Sequence, residues 1–239
     1  IMPSLVGSEM CIRDRFDTLL QLPLFQGLAQ EDFTRILEKV KLHFTKHKPG
    51  ELLLKEGTSC HELVFVLKGE VASSTSSVDS SYSFTEYFPA PYLIEAYSMF
   101  GMKTHYASTY RAKTEAHTVS ISKAFVMKEL FNYEIFRLNY MNIVSNRTQM
   151  LHNRLWAVSG DNLEARIAHF ILSHVERLSG EKALKIKMEN LAQIVNDTRA
   201  GVSKALNSMQ AKGLAELHRG EIVIPDAEKL SENLYLLSL

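Results

Sequence analysis

LAQIVNDTRAGVSKALNSM, residues 191–209, decides the fold. Ala192 is small where two helices must cross closely, Asn196 stands where a turn needs a left-handed backbone, and Val202 points back into the crossing. Those are the demands of a helix-turn-helix. Glycine is commonest at such a turn, and asparagine is the next residue to tolerate positive φ. Thr198 is placed to cap the second helix. That helix turns Arg199, Ala200, Gly201, Ser203, Lys204 and Asn207 outward, and Val202, Ala205, Leu206 and Met209 inward. Nothing on the outer face requires a protein core.

Downstream, KGLAELHRGEIVIPD (212–226) reads as a turn, a strand, an Arg-Gly-Glu turn and a second strand, a two-stranded wing with Arg219 near its tip. The whole chain is electrically balanced, 27 basic against 27 acidic residues, so no global field draws it to a polyanion. Between Lys182 and Arg219, however, seven basic residues stand against three acidic ones. A recognition helix in a major groove, with a wing on the phosphates, accounts for this local surplus. A protein-binding winged helix with merely solvated charges is the competing reading.

Upstream, Ser159-Gly160-Asp161 reads as a hinge, with Asp161 free to cap the helix NLEARIAHFILSHVERLSG. Before the hinge, residues 124–158 hold no Gly or Pro. There Ile135, Leu138, Met141, Thr148, Leu151, Leu155 and Val158 recur at three- and four-residue steps, a stripe along one long helix. Asn142, Ser145 and His152 interrupt or flank it, as polar residues do when they fix register between two helices. A self-pairing helix is expected, with Leu138, Met141, Leu151 and Leu155 in its seam.

Residues 16–40 show helical spacing in short pieces, broken at Pro23 and Gly27. From Lys41 to about residue 123 the period changes to two, punctuated by Pro49-Gly50, Gly57 and Gly69. A β-roll or jelly roll of about eight short strands is the economical account. STSSVDSSYS (74–83) is a serine-rich run suited to a solvated hairpin tip. The fold class is α+β: helices and a β-roll over 16–123, a dimerisation helix over 124–158, and a winged helix-turn-helix over 159–239.

Two cysteines, Cys11 and Cys60, supply neither a disulfide framework nor a CxxC metal site, which fits a reducing cytoplasm. No run of about 18 apolar residues suggests a membrane span. The opening IMPSLVGSEMCIRDR (1–15) lacks the basic start and apolar core of a signal peptide and is set aside as a leader or artefact.

LPLFQGL, PGELLLKEG, ELVFVLKGEV, EARIAHFIL, LAQIVNDTRAGVSKAL and the wing GLAELHRGEIVIPD, in that order, resemble the Crp-Fnr superfamily of bacterial transcription regulators. The resemblance spans about residues 16–230. It implies a two-fold dimer on double-stranded DNA, an effector in a cyclic-nucleotide-binding-like β-roll, and RNA polymerase as a partner. It places Arg199 where an arginine reads guanine, Lys204 where a second basic residue stands, and Ala200 where a glutamate often accepts from cytosine. An alanine offers only apolar contact to a thymine methyl, so the operator is expected to differ. Gly201 costs about 1 kcal/mol of helix stability relative to alanine, and its lack of a side chain suits close approach to a phosphate.

The effector region departs further. Cyclic-AMP binders resemble a Gly-Glu, short helix, Arg-Ser pattern; here Glu95 remains, but Ile94 replaces the glycine, and Tyr106 and Ala107 fall at the arginine and serine. A phosphate buried without its cation carries a large desolvation cost, so cyclic AMP is not the expected effector. Lys103, His105 or Arg111 could supply that cation only through a rearranged loop. Too few cysteines remain for an iron-sulfur cluster. No metal or cofactor is assigned, although His43, His61, His105 and His117 leave haem or another small effector open.

No GxSxG, HExxH or GxxxxGK[ST] is present, and Glu95 has no evident acid-base partner, so an enzyme is not expected. The alternative from another class is a sensor or scaffold dimer that does not read DNA.

Overall fold

The computed structural model describes residues 20–156 and 162–237. The leader at 1–15, Val158 and the hinge at 159–161 lie outside the described residues. In chain order the elements are α1 (Gln30–Lys39), β1 (His43–His47), β2 (Leu52–Leu54), β3 (Glu62–Lys68), β4 (Glu70–Ser76), β5 (Tyr82–Pro89), β6 (Tyr92–Ile94), β7 (Thr109–Ala112) and β8 (Ala116–Ser122), then α2 (Lys123–Lys128) and α3 (Glu134–Leu155). They continue as α4 (Leu163–His174), β9 (Lys182–Ile186), α5 (Met188–Ile194), α6 (Arg199–Ala211), β10 (Glu216–His218), β11 (Glu221–Ile224) and α7 (Ala227–Leu237). This is the expected α+β series of β-roll, long helix and winged helix-turn-helix.

The chain divides into two compact units. The first holds residues through Val71 together with Phe88–Gln149; the second holds Ala72–Tyr87 together with Met150 onward. In the first, β1-β8-β3-β6 form an antiparallel sheet and β2 pairs with β7. Alternating strand residues send Leu63, Phe65, Val119 and Ile121 into a core shared with Phe25, Phe33 and Phe136. Gly69 has φ +88°, and a side chain there would strike the backbone of Glu115 and Ala116.

The helix expected over 124–158 is divided. After α2 comes a 3-10 turn at Leu130–Asn132, and α3 then runs for 22 residues. No glycine or proline marks this break. Asn132 instead donates its side-chain amide to the Lys128 carbonyl at 2.8 Å, satisfying the end of α2 as a cap would, while Leu130 is drawn into the core.

In the second unit the strand order is β10-β11-β9-β5-β4. The serine-rich hairpin β4–β5, expected within the β-roll, therefore packs with the winged helix. Its strand β5 alternates cleanly: Phe84 and Glu86 are buried, Ser83 and Thr85 are not. The buried side faces Ile167, Ile171, Leu184, Leu206 and Ile224. The cap of α4 is Asn162, whose Oδ1 accepts from Ala165 N at 2.8 Å; Asp161, expected to cap it, lies outside the described residues.

Candidate nucleic-acid interface

In the helix-turn-helix, α5 and α6 are joined by Val195–Thr198, and Asn196 takes φ 51°, the left-handed conformation the turn requires. Ala192 and Val202 are buried at the crossing. Thr198 caps α6: its Oγ1 accepts from Gly201 N at 3.0 Å. Asp197 braces the same corner, accepting from Thr198 N at 2.7 Å and from Arg166 Nη2 at 2.7 Å.

Gly201 has a local reason to be glycine. A Cβ there would collide with the Asp197 carboxylate and press on Thr198 Oγ1 and the Leu163 side chain. This internal crowding favours glycine here independently of any phosphate that approaches it.

On the outer face of α6, Arg199, Ala200, Lys204 and Asn207 are exposed and Ser203 is half-buried. Arg199 Nη1 lies 3.2 Å from Glu189 Oε1, both side chains remaining largely in solvent. At the wing, β10 and β11 pair in register around the Arg219-Gly220 turn, leaving Arg219 exposed.

The basic surplus is smaller than the sequence count implies. Lys182 is 0% exposed: its Nζ donates to the Ser179 carbonyl at 2.7 Å and lies 3.5 Å from Glu86 Oε1. Burial raises the Glu86 pKa and lowers that of Lys182, while their mutual attraction opposes both shifts. Glu86 also accepts from the backbone N–H groups of Glu176 and Arg177. Lys212 is engaged by Glu164 at 2.6 Å, and Lys185 lies 3.9 Å from Glu221. Among the described residues, Lys187, Lys204 and Arg219 carry no ion pair. The surface charge available to a polyanion is therefore concentrated on α6, the end of β9 and the wing turn.

The candidate effector residues belong to the first unit. Glu95, 2% exposed, starts the 3-10 turn Ala96–Met99 from a left-handed backbone. Its carboxylate accepts from Ser98 Oγ at 2.7 Å, Ala107 N at 2.8 Å and Tyr110 Oη at 3.2 Å. Tyr106 is buried, but its hydroxyl donates to the Glu62 carbonyl. Strand alternation turns Tyr110 inward and Arg111 outward, where Arg111 donates to the Gly50 carbonyl at 3.3 Å. The fold thus brings Glu95 and Ala107 together and keeps Arg111 on the opposite side of β7. Lys103 and His105 are exposed.

Of the histidines left open as ligands, His43 lies on β1 and His117 on the neighbouring strand β8. Among the described residues, no group of three or more His, Cys, Asp or Glu is placed to hold a metal.

On α3, Leu138, Met141, Leu151 and Leu155 are all exposed, Leu155 by 83%. Phe136 and Tyr140, on another side of the helix, are buried. The seam predicted from spacing is an uncovered apolar stripe.

Sequence reading missed β9, Glu86 and Lys182. The available signal was phase: in SFTEYF, Glu86 falls in step with Phe84 and Phe88, and in KALKI, Lys182 falls in step with Leu184 and Ile186.

Comparison with known proteins matches the family model of the Crp-like helix-turn-helix domain to residues 165–232 and that of the cyclic nucleotide-binding domain to residues 44–133. The chain is 20% identical over 224 residues to a CRP-like cAMP-activated global transcriptional regulator of Mycobacterium tuberculosis, covering 90% of this chain and 97% of that protein. Its fold is similar to that of the Thermus thermophilus catabolite activator protein, with TM-score 0.51, 17% identity, and coverage of 90% of this chain and 100% of the other. A crp/fnr family protein from Eubacterium rectale gives TM-score 0.50 at 20% identity, covering 89% of this chain and 97% of the other.

Proposed function

We propose that this chain, which belongs to the Crp-Fnr superfamily of transcription regulators, binds a two-fold symmetric operator as a homodimer and does so without cyclic AMP. It is a DNA-binding regulator and not an enzyme. The observation that carries the operator reading is the division of α6: Val202, Ala205, Leu206 and Met209 fill the core, while Arg199, Lys204 and Asn207 face solvent. An arginine in the first turn of such a helix can form two hydrogen bonds to guanine O6 and N7. Lys204, lying later and having a mobile ammonium, reaches a phosphate. Thr198 and Ser203 donate hydroxyls from the same face, and Arg219 meets the backbone from the wing.

Dimerisation through α3 is supported by its exposed stripe. Pairing Leu138, Met141, Leu151 and Leu155 with a second copy removes apolar surface from water. It also sets the two recognition helices around a two-fold axis.

The reading without cyclic AMP rests on Glu95. Its carboxylate oxygens already accept from Ser98, Ala107 and Tyr110, and the arginine nearest in sequence points away. A nucleotide would have to displace these bonds and bury its phosphate without a cation. The effector, where one acts, is therefore of another chemistry. No helix among the described residues is long and apolar enough to cross a membrane, and the proposed setting is the cytoplasm with RNA polymerase as partner.

Titration with random duplex over a range of salt tests the DNA reading: log affinity falls linearly with log salt concentration for a protein that neutralises phosphates. A scaffold dimer would show no such binding. Calorimetry with cyclic AMP tests the other half, and micromolar affinity would overturn it.

A further inference from the structure

Ser83 on β5 and Lys185 on β9 are direct cross-strand partners. They lie on the face opposite the one on which Phe84 and Leu184 enter the core. Beyond them the hairpin loop carries Ser80 and Ser81, β9 runs on to Lys187, and the wing turn contributes Gly220. Together these residues border an open concavity of about 310 Å3.

Its chemistry is one-sided. Two exposed ammonium groups and several hydroxyls converge on it. The nearest carboxylate of the loop, Asp79, is turned back into the hairpin, accepting from Ser77 Oγ at 2.7 Å and Ser81 N at 3.1 Å. Glu221 holds Lys185 only at 3.9 Å and in solvent, a contact of little stability that a stronger anion displaces. Donors without a matched acceptor suit a ligand with several anionic oxygens, which is the chemistry of a phosphate.

Register fixes where such a ligand runs. Lys185 stands opposite Glu221, the first residue after the Arg219-Gly220 turn, and Ile186 N donates to the Gly220 carbonyl at 3.2 Å. The concavity therefore begins at the wing turn and extends across the ends of β9 and β5 to the hairpin tip. An open, elongated border favours a polymer backbone over an enclosed small molecule.

We infer that the β4–β5 hairpin tip and the end of β9 form a second phosphate-binding rim beside the wing, on which Lys185 and Lys187 neutralise backbone phosphates of the bound DNA and Ser80 and Ser83 donate to them. This rests on the DNA-binding reading above. It assigns to a segment about a hundred residues from the helix-turn-helix a direct share in affinity, and none in base preference.

The test uses the full-length chain. Affinity for operator and random duplexes is measured against salt for wild type, for Lys185→Ala with Lys187→Ala, and for Ser83→Asp. The double variant is expected to lower the slope of log affinity against log salt by about two per bound chain, and to weaken operator and random duplex by the same factor. Ser83→Asp, which leaves both lysines in place, is expected to weaken both duplexes likewise. An unchanged slope in the double variant overturns the proposal. So does binding of pyrophosphate at amides 80–83 with duplex affinity unaffected in the variants, since the rim would then take a small anion. If wild type itself shows no salt-dependent duplex binding, the DNA reading fails first, a result distinct from either.

Discussion

Glu86 on β5 and Lys182 on β9 are opposed in the same ladder, 3.5 Å apart at Oε1 and Nζ, and both are withdrawn from water. Neither charge has a solvent route to screening, so each depends on the other and on the backbone groups around them. Removing one partner strands the other. Glu86→Leu or Lys182→Met alone is expected to cost about 3–5 kcal/mol in urea unfolding, while the double substitution recovers most of the loss. Equal losses in the singles and their sum in the double would show that the pair is not coupled.

Arg199→Ala is expected to cost about 1–3 kcal/mol on the operator and to flatten preference at one position of each half-site, leaving random duplex nearly unaffected. Lys204→Ala weakens operator and random duplex alike and lowers the salt slope by about one for each phosphate no longer neutralised. Competition with single-base operator variants separates the two. An Arg199→Ala protein that binds every variant more weakly by the same factor would place the helix in another register.

Placing glutamates together at Leu138, Met141 and Leu155 is expected to give monomers in sedimentation, because unpaired charges buried in a two-helix seam cost several kcal/mol. All three side chains are exposed in the single chain, so far-UV circular dichroism should be unchanged. A full dimer from this variant would place the interface elsewhere.

Gly201→Ala runs against propensity. Alanine normally gains about 1 kcal/mol over glycine inside a helix, yet here its methyl group meets Asp197 and Thr198. A net loss of about 1–3 kcal/mol is expected. Relief by adding Asp197→Ala would identify the carboxylate as the obstacle.

The hairpin tip carries its own titration signature. The hydroxyls of Ser77 and Ser81 and the Ser81 backbone N–H hold the Asp79 carboxyl down to about 2. Because its folded value lies below the ordinary one, the stabilisation of the tip is present above about pH 4 and is lost as pH falls toward about 2. Ser77→Ala should move the Asp79 midpoint upward in carboxyl-carbon NMR; an unmoved midpoint would mean that the hydroxyl does not bind the charged form.

What could be read from sequence was what a few neighbouring residues settle among themselves. Asn196, Ala192 and Val202 define a turn and a crossing within a dozen positions, and the spacing of Leu138, Met141, Leu151 and Leu155 marks one side of a helix whatever surrounds it. The division of 124–158 carried no glycine or proline to announce it, since Asn132 and the burial of Leu130 act through side chains. Lys182 looked like surface charge because its partner lies far upstream. The crowding of Gly201 was not legible either, because the atom that causes it, the Asp197 carboxylate four residues away, reaches it only once the turn has formed.

The pairing of Tyr82–Glu86 with Lys182–Ile186 also has a meaning in time. A ribosome releases β5 long before β9 exists, and closing a loop of about a hundred residues is slower than forming any local turn. Until then the inner edge of β5 stands open, as unpaired strand edges that invite aggregation do. A glutamate in the apolar phase of the strand makes that waiting edge a poor template for other chains. The same carboxylate that later meets Lys182 guards the nascent hairpin before its partner has been synthesised.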